Sequence, residues 1–288
     1  MNQLRSVLYM PASNRRAMDK ARDLPCDALI FDLEDSVAVE AKEQARKQLL
    51  EQLQSGGYGP RQLVVRVNGA TTPWAEADLL ALAQAGVGTV CLPKVESLEQ
   101  LQHSRELLRS GLSGGAEPNL WAMIETPDGV YNVEQICSAG PPLQALVMGT
   151  TDLAHELRVP VRADRLGLQY ALSKCVNAAR MARIVVLDSV FLNIEDSPAF
   201  RFDCEFGRAL GFDGKTLVHP SQIADANEVF GLSRGQVEWA RRVMAAWRTA
   251  QTEGKGVTVV DGKLVETMHI DEAERILALQ PVGLGRPQ

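Results

Sequence analysis

Eight short apolar runs punctuate the chain up to residue 220: Ser6–Met10, Ala28–Asp32, Leu63–Val67, Thr89–Pro93, Leu120–Glu125, Ala145–Gly149, Val185–Ser189 and Lys215–Pro220. They are continuously apolar rather than alternating, which is the pattern of parallel strands covered on both faces. The stretches between them have helical periodicity. Pro73–Gly86 carries an apolar face and closes on a glycine suited to a helix C-terminus. The segment opening at Ser97 has a capping residue and an acid in its first turn, and stops before Gly111. Asp164–Arg183 is long and amphipathic, with Asp164 placed as its cap. Eight such strand-plus-helix units predict an α/β fold, a (β/α)8 or TIM barrel, over residues 1–230. The alternative is an open doubly wound sheet. Against it, the first strand is followed by "YMPASNRRAMDK", with no GxGxxG fingerprint, and no GxxxxGK[ST] loop occurs anywhere.

After Phe230 the pattern changes. Ser233–Gly254 reads as one long amphipathic helix. A hairpin follows with its turn at Asp261-Gly262, then a final helix, and the tail Pro281–Gln288 is expected to be disordered. This extension, residues 231–288, exceeds what a barrel needs and is expected to be a lid or an oligomer arm.

Composition narrows the function classes. A 45% hydrophobic and 23% charged chain of 288 residues can bury a sizeable core. A net charge of -6 with scattered basic residues argues against a nucleic-acid binder. The cysteines, Cys26, Cys91, Cys137, Cys175 and Cys204, are far apart and form no CxxC pair. Reduced thiols in a cytoplasmic protein are expected, not a disulfide framework or a zinc site. The N-terminus has no long apolar h-region, and no run approaches the ~18 residues of a membrane span. Neither a signal peptide nor a membrane partner is expected.

Barrel enzymes gather their chemistry at the C-terminal ends of the strands. Those ends supply Asp32, Glu34 and Asp35; Arg66 and Asn68; Lys94; Glu125; Asp152; Asp188 and Ser189; and His219. A ring of carboxylates with one Arg, one Lys and one His is therefore expected around one mouth. Glu125 and Asp152, from neighbouring strands, suit an open octahedral Mg²⁺ site completed by water and substrate oxygens. The blander reading makes each a solvated strand-end acid or, for Asp152, a helix cap. Arg66 in a buried strand needs an anion. That anion is a structural partner such as Glu34 or Asp35, a developing enolate or thioester oxygen, or both in turn. Lys94 could orient a carboxylate or pair with the acids after the second strand, and the pairing is favoured. Arg15, Arg16 and Lys20 open a helix and could take phosphates, or simply form a solvated basic face. His219 reads equally as a hydrogen-bonding or a catalytic group. No nucleophilic triad is evident.

Several segments together resemble the citrate lyase β-subunit-like group of the HpcH/HpaI aldolase superfamily. They are "RSVLYMPASNRRAMDKA", "ALIFDLEDSV", "VVRVNG", "LPKVES", "MIETPDGV", "GTTDLAHEL", "GFDGKTLVHPSQI" and "WARRVMAAW". The resemblance spans nearly the whole chain in order. It implies a (β/α)8 barrel, Mg²⁺ as cofactor, an acyl-CoA substrate and a homotrimer or hexamer. It carries the metal ligands onto Glu125 and Asp152, and the arginine near the thioester carbonyl onto Arg66. Glu34 and Asp35 match acids beneath the metal, linked to it through water or through Arg66 and Lys94. Arg15 and Lys20 match a CoA-contacting region. The implied reaction is reversible carbon–carbon cleavage of a 3-hydroxyacyl-CoA, of malyl-CoA or citramalyl-CoA type, to acetyl-CoA and a 2-oxo acid. One departure stands out. Many relatives carry an aspartate in a "DGK-x-x-D-x-P" segment that reaches a neighbouring protomer's site as acid and base. Here the segment is "DGKLVETM", with Glu266 in the acid's place and Met268 in the proline's. Three rivals remain: a citrate lyase subunit acting on a carrier-bound thioester, an aldolase of free hydroxy acids, and a non-catalytic acyl-CoA-binding barrel.

Overall fold

A computed structural model describes residues 3–254 and 256–279. Its eight parallel strands close into a barrel in chain order: β1 (Ser6–Pro11), β2 (Ala28–Asp32), β3 (Gln62–Arg66), β4 (Thr89–Leu92), β5 (Asn119–Ile124), β6 (Leu143–Met148), β7 (Val185–Asp188) and β8 (Gly214–Leu217). The pairing of β1 with β8 completes the ring, Val7 lying opposite Thr216. The intervening helices are α1 (Arg15–Lys20), α2 (Lys42–Ser55), α3 (Ala75–Gln84), α4 (Leu98–Gly111), α5 (Pro127–Tyr131), α6 (Val133–Cys137), α7 (Thr150–Leu157), α8 (Gln169–Ala182), α9 (Ser197–Leu210) and α10 (Ile223–Phe230). This is the (β/α)8 barrel that the apolar runs predict.

The strands read as continuous apolar runs because both faces are buried. Val7, Ile30, Val64, Trp121, Met123 and Leu187 belong to one cluster, which is the filling of the barrel. Their neighbours in sequence, including Leu8, Leu29, Phe31, Leu120 and Val186, join a second cluster with the helices. Successive residues thus alternate between inside and outside, as strand geometry requires.

Local signals act largely as the sequence indicates. Ser97 Oγ accepts the Gln100 N–H at 3.2 Å and caps α4. Gly86 follows α3 with φ +69°, and its N–H bonds the Ala83 carbonyl, a left-handed helix ending. Asp164 differs from expectation. It accepts the Leu166 N–H at 3.1 Å but caps no helix: Arg165 holds the cap position of a short 3-10 turn, Leu166–Leu168, and α8 starts only at Gln169.

The chain separates into two compact units, Leu4–Phe230 and one beginning at Gly231. The second unit contains α11 (Arg234–Thr252), an antiparallel hairpin of β9 (Thr258–Val260) and β10 (Lys263–Val265), and α12 (Thr267–Ala278). Ser233 caps α11. Asp261 and Gly262 both have positive φ, 51° and 75°, which suits a two-residue hairpin turn. Ala240, Val243, Val260, Val265, Ile270 and Ile276 form this unit's own core. The tail expected to be disordered lies outside the described residues. Among the described residues, no helix is long and apolar enough to cross a membrane.

Candidate active site at the barrel mouth

A cavity of about 430 Å³ is lined by Tyr9, Asp32, Asp35, Arg66, Glu125 and Asp152 together with Met123, Met148, Val190 and Val218. Most of these residues stand at or just beyond the C-terminal ends of their strands.

Arg66 is the hub. Strand register sets Asp32 of β2 directly beside Arg66 of β3. The two form a paired ion bridge, Nε to Oδ1 at 2.7 Å and Nη2 to Oδ2 at 2.8 Å. The Glu34 carboxylate lies 3.0 Å from Nη1 and the Asp35 carboxylate 3.9 Å. Arg66 thus pairs with Glu34 and, at longer range, Asp35 as the sequence suggests, and adds a paired bridge to Asp32 that the sequence did not single out. Burial works against the Asp32 charge, but Arg66 and the Ser36 and Glu34 donors outweigh it and hold that carboxyl below its usual range. Glu34 comes out the other way. Burial pushes its carboxyl up to about 8, against the pull of Arg66 and with help from Asp35 and Glu125. One guanidinium cannot neutralise three acids.

Glu125, just after β5, is buried, and burial pushes its carboxyl up to about 7. Its Oε1 accepts the Lys94 N–H at 2.8 Å. Lys94 holds φ +49°, a left-handed backbone uncommon outside glycine, so the chain accepts strain at the residue whose N–H meets Glu125. Gly149 is required here: a Cβ on it would collide with Glu125 Oε2 and would lie 2.5 Å from Glu125 Cβ. Asp152 sits in the first turn of α7 and is half-buried, and its Oδ2 is 3.4 Å from Lys94 Nζ. Lys94 therefore makes its ion pair with Asp152, not with the acids after β2. The sequence expectation fails because the side chain of Lys94 turns toward α7.

Glu125 and Asp152 face one cavity with hard oxygen donors. Among the described residues, no group of three or more His, Cys, Asp or Glu side chains is arranged to hold a metal. Two carboxylates alone fit a cation that keeps several waters and takes substrate oxygens, the habit of Mg²⁺ rather than of Ca²⁺ or Zn²⁺.

Other predicted groups lie elsewhere. Asp188 does not join the mouth. It is fully buried and contacts Arg165 Nη1 at 2.8 Å and Lys215 Nζ at 2.9 Å, packed beside Gly207 of α9. Asn68 binds Asp78 at 2.6 Å. His219 is exposed and shares a hydrogen bond with Ser221 at 2.8 Å, which favours its structural reading. Arg15 is 64% exposed and 4.0 Å from Glu51, Lys20 is exposed, and neither lines the cavity. Glu266 belongs to the second unit, exposed at the start of α12, where its N–H donates to His269 Nδ1 at 3.0 Å. Tyr9 and Met123 are cavity residues that the sequence reading does not single out. The signal was the alternation of β1 and β5, which puts both on the face that fills the barrel.

The profile of the HpcH/HpaI aldolase/citrate lyase family matches residues 5–220. A (3S)-malyl-CoA thioesterase of Cereibacter sphaeroides is 45% identical, over 95% of this chain and 93% of that protein. The citrate lyase subunit beta of Escherichia coli is 34% identical, over 95% of this chain and 92% of that protein. Among solved structures, CitE of Mycobacterium tuberculosis in complex with magnesium, acetoacetate and coenzyme A superposes with a TM-score of 0.74 at 30% identity, over 96% of this chain and 97% of that one. The closed barrel, the acids at its mouth and these matches lead to one conclusion: the chain belongs to the HpcH/HpaI aldolase/citrate lyase family of enzymes.

Proposed function

We propose that the protein is a Mg²⁺-dependent lyase that cleaves the carbon–carbon bond of a 3-hydroxyacyl-CoA of malyl-CoA or citramalyl-CoA type, giving acetyl-CoA and a 2-oxo acid. The observation that carries this reading is the juxtaposition, in one cavity, of Glu125 and Asp152 with an Arg66 fixed by Asp32. The magnesium and coenzyme A named with the tuberculosis CitE structure support it.

Glu125 and Asp152 would hold Mg²⁺, which when bound supplies positive charge that acidifies the substrate hydroxyl and steadies the departing 2-oxo acid. The first turn of α7, where Thr150 and Thr151 line the cavity, offers backbone N–H groups to the substrate carboxylate. A base, Glu266 of a partner chain in a homotrimer or hexamer, takes the hydroxyl proton. The electrons of the breaking carbon–carbon bond pass to the thioester as an enolate. Arg66 donates to the oxygen where that charge collects, and Asp32 keeps the guanidinium from turning away. Protonation of the enolate carbon completes acetyl-CoA. Glu34 and Asp35 tune Arg66 from behind, and Arg15 and Lys20 meet the CoA phosphates. The setting is cytoplasmic.

Arg66→Ala is expected to lower kcat on the order of 10²- to 10³-fold, with Mg²⁺ affinity by calorimetry unchanged. Asp152→Ala is expected to weaken that affinity. Near-normal turnover by the Arg66 variant would rule out its role.

A second reading, hydrolysis of the same thioester, is favoured by a specific observation: the 45% identical relatives are named (3S)-malyl-CoA thioesterases. Hydrolysis would release free CoA and a hydroxy acid in place of acetyl-CoA and a 2-oxo acid.

A further inference from the structure

The Tyr9 hydroxyl is poorly used. Its hydrogen-bond partner among the described residues is Met123 Sδ at 3.6 Å. A thioether is a weak acceptor. Arg66 Nη1 approaches the same sulfur at 3.8 Å. The other nitrogens of that guanidinium, Nε and Nη2, are both taken by Asp32. Arg66 Nη1 also faces the Glu34 carboxylate at 3.0 Å, so the Tyr9 hydroxyl is the donor left with only a poor acceptor in the wall of the cavity, which Tyr9, Arg66 and Met123 all line.

The arrangement follows from the strands. Tyr9 is two residues from Val7 on β1, so it shares the inward face. Its ring lies against the Arg66 guanidinium, 4.9 Å from centroid to carbon. Burial raises the phenol well above its ordinary range, so it keeps its proton at neutral pH.

We propose that Tyr9 is a further catalytic residue, whose hydroxyl donates a hydrogen bond to the thioester carbonyl oxygen alongside Arg66 Nη1. The inference rests on the CoA-ester reading above and holds for either bond cleaved, because both reactions place negative charge on that oxygen. In the lyase reaction the oxygen becomes an enolate; in hydrolysis it becomes the tetrahedral oxyanion. No proton leaves Tyr9 in either case. The substrate oxygen replaces the sulfur as acceptor, and the two donors meet it where charge develops, the arrangement that stabilises a transition state more than a ground state.

The ring and the hydroxyl are separable. Tyr9→Phe keeps the surface that supports Arg66 and loses the donor; Tyr9→Leu loses both. The experiment measures kcat and KM of wild type, Tyr9→Phe, Tyr9→Leu and Arg66→Ala with malyl-CoA and citramalyl-CoA, with thermal melting to confirm folding. Hydrogen–deuterium exchange at the methyl group of acetyl-CoA is followed as a partial reaction if the products show carbon–carbon cleavage. Tyr9→Phe is expected to lose on the order of 10²-fold in kcat with little change in KM, and to slow any exchange in parallel. Wild-type kcat in Tyr9→Phe with a deficit in Tyr9→Leu would overturn the proposal and leave the ring as support for Arg66 only. In that outcome an inactive Arg66→Ala still upholds the CoA-ester reading. A wild-type protein that turns over neither ester would defeat that reading, and the role of Tyr9 with it.

Discussion

Arg66 brings one positive charge to a place where Asp32, Glu34 and Asp35 bring three carboxyl groups. Asp32 wins because strand register aligns it with both free edges of the guanidinium. Glu34 meets only the remaining nitrogen of the same guanidinium, at 3.0 Å, and burial together with Asp35 and Glu125 keeps its proton on up to about 8. Its folded value lies above the ordinary glutamate value, so the folded state holds the proton where the unfolded state has lost it. Stability is therefore full below that lower value and falls as pH rises toward the upper one. Glu34→Gln removes the fall. In metal-free buffer its melting temperature should exceed wild type by more at about pH 9 than at about pH 5; an equal difference at both would contradict the assignment. Sequence made Glu125, Asp152 and Arg66 legible because each interrupts or ends an apolar run. It hid Tyr9, which inside "SVLYM" reads as another core residue. It also misplaced Asp188, which ends an apolar run just as Glu125 does. The difference is strand parity: Leu187 fills the barrel, so Asp188 next to it points out.

At the scale of elements, that outward turn builds a buried charge network joining β7, β8, α9 and the turn before α8. Asp188 meets Arg165 and Lys215, and Lys215 Nζ also lies 2.6 Å from Asp203 of α9, which Arg165 engages too. Two cations balance two carboxylates, so the net cost of burying them is limited. Removing one member is another matter. Lys215→Met leaves two buried acids for one guanidinium and should destabilise the fold by about 3–5 kcal/mol, read from chemical denaturation. Adding Asp203→Asn restores the balance and should recover part of the loss. A Lys215→Met cost under about 1 kcal/mol would show that the network is not a structural requirement. The sequence offered no hint of this cluster, because its members come from four separate segments whose packing only the closed barrel defines. Helix starts such as Ser97 were legible because caps act through local hydrogen bonds. The pairing of Lys94 was not, since it depends on a left-handed backbone that no neighbouring residue announces.

For the whole molecule, eight buried runs spaced by helix-sized connections were enough to indicate the barrel, since few topologies bury both faces of so many parallel strands. The second unit was visible as a change of pattern after Phe230, and its hairpin as Asp261-Gly262 between short apolar segments. Family membership rests on the length of the match. The choice of bond does not follow from the barrel, because one mouth with a carboxylate pair and an arginine can serve either cleavage of a CoA ester. Either cleavage requires this mouth to be a metal-dependent CoA-ester site, as proposed above. The most direct measurement follows malyl-CoA and citramalyl-CoA by product-resolved chromatography with purified protein, with Mg²⁺ and with chelator. Mg²⁺-dependent loss of at least one ester is expected, with acetyl-CoA and a 2-oxo acid appearing in equal amounts. Free CoA and a hydroxy acid would instead support the hydrolytic reading. No turnover of either ester, or turnover indifferent to chelator, would contradict the claim.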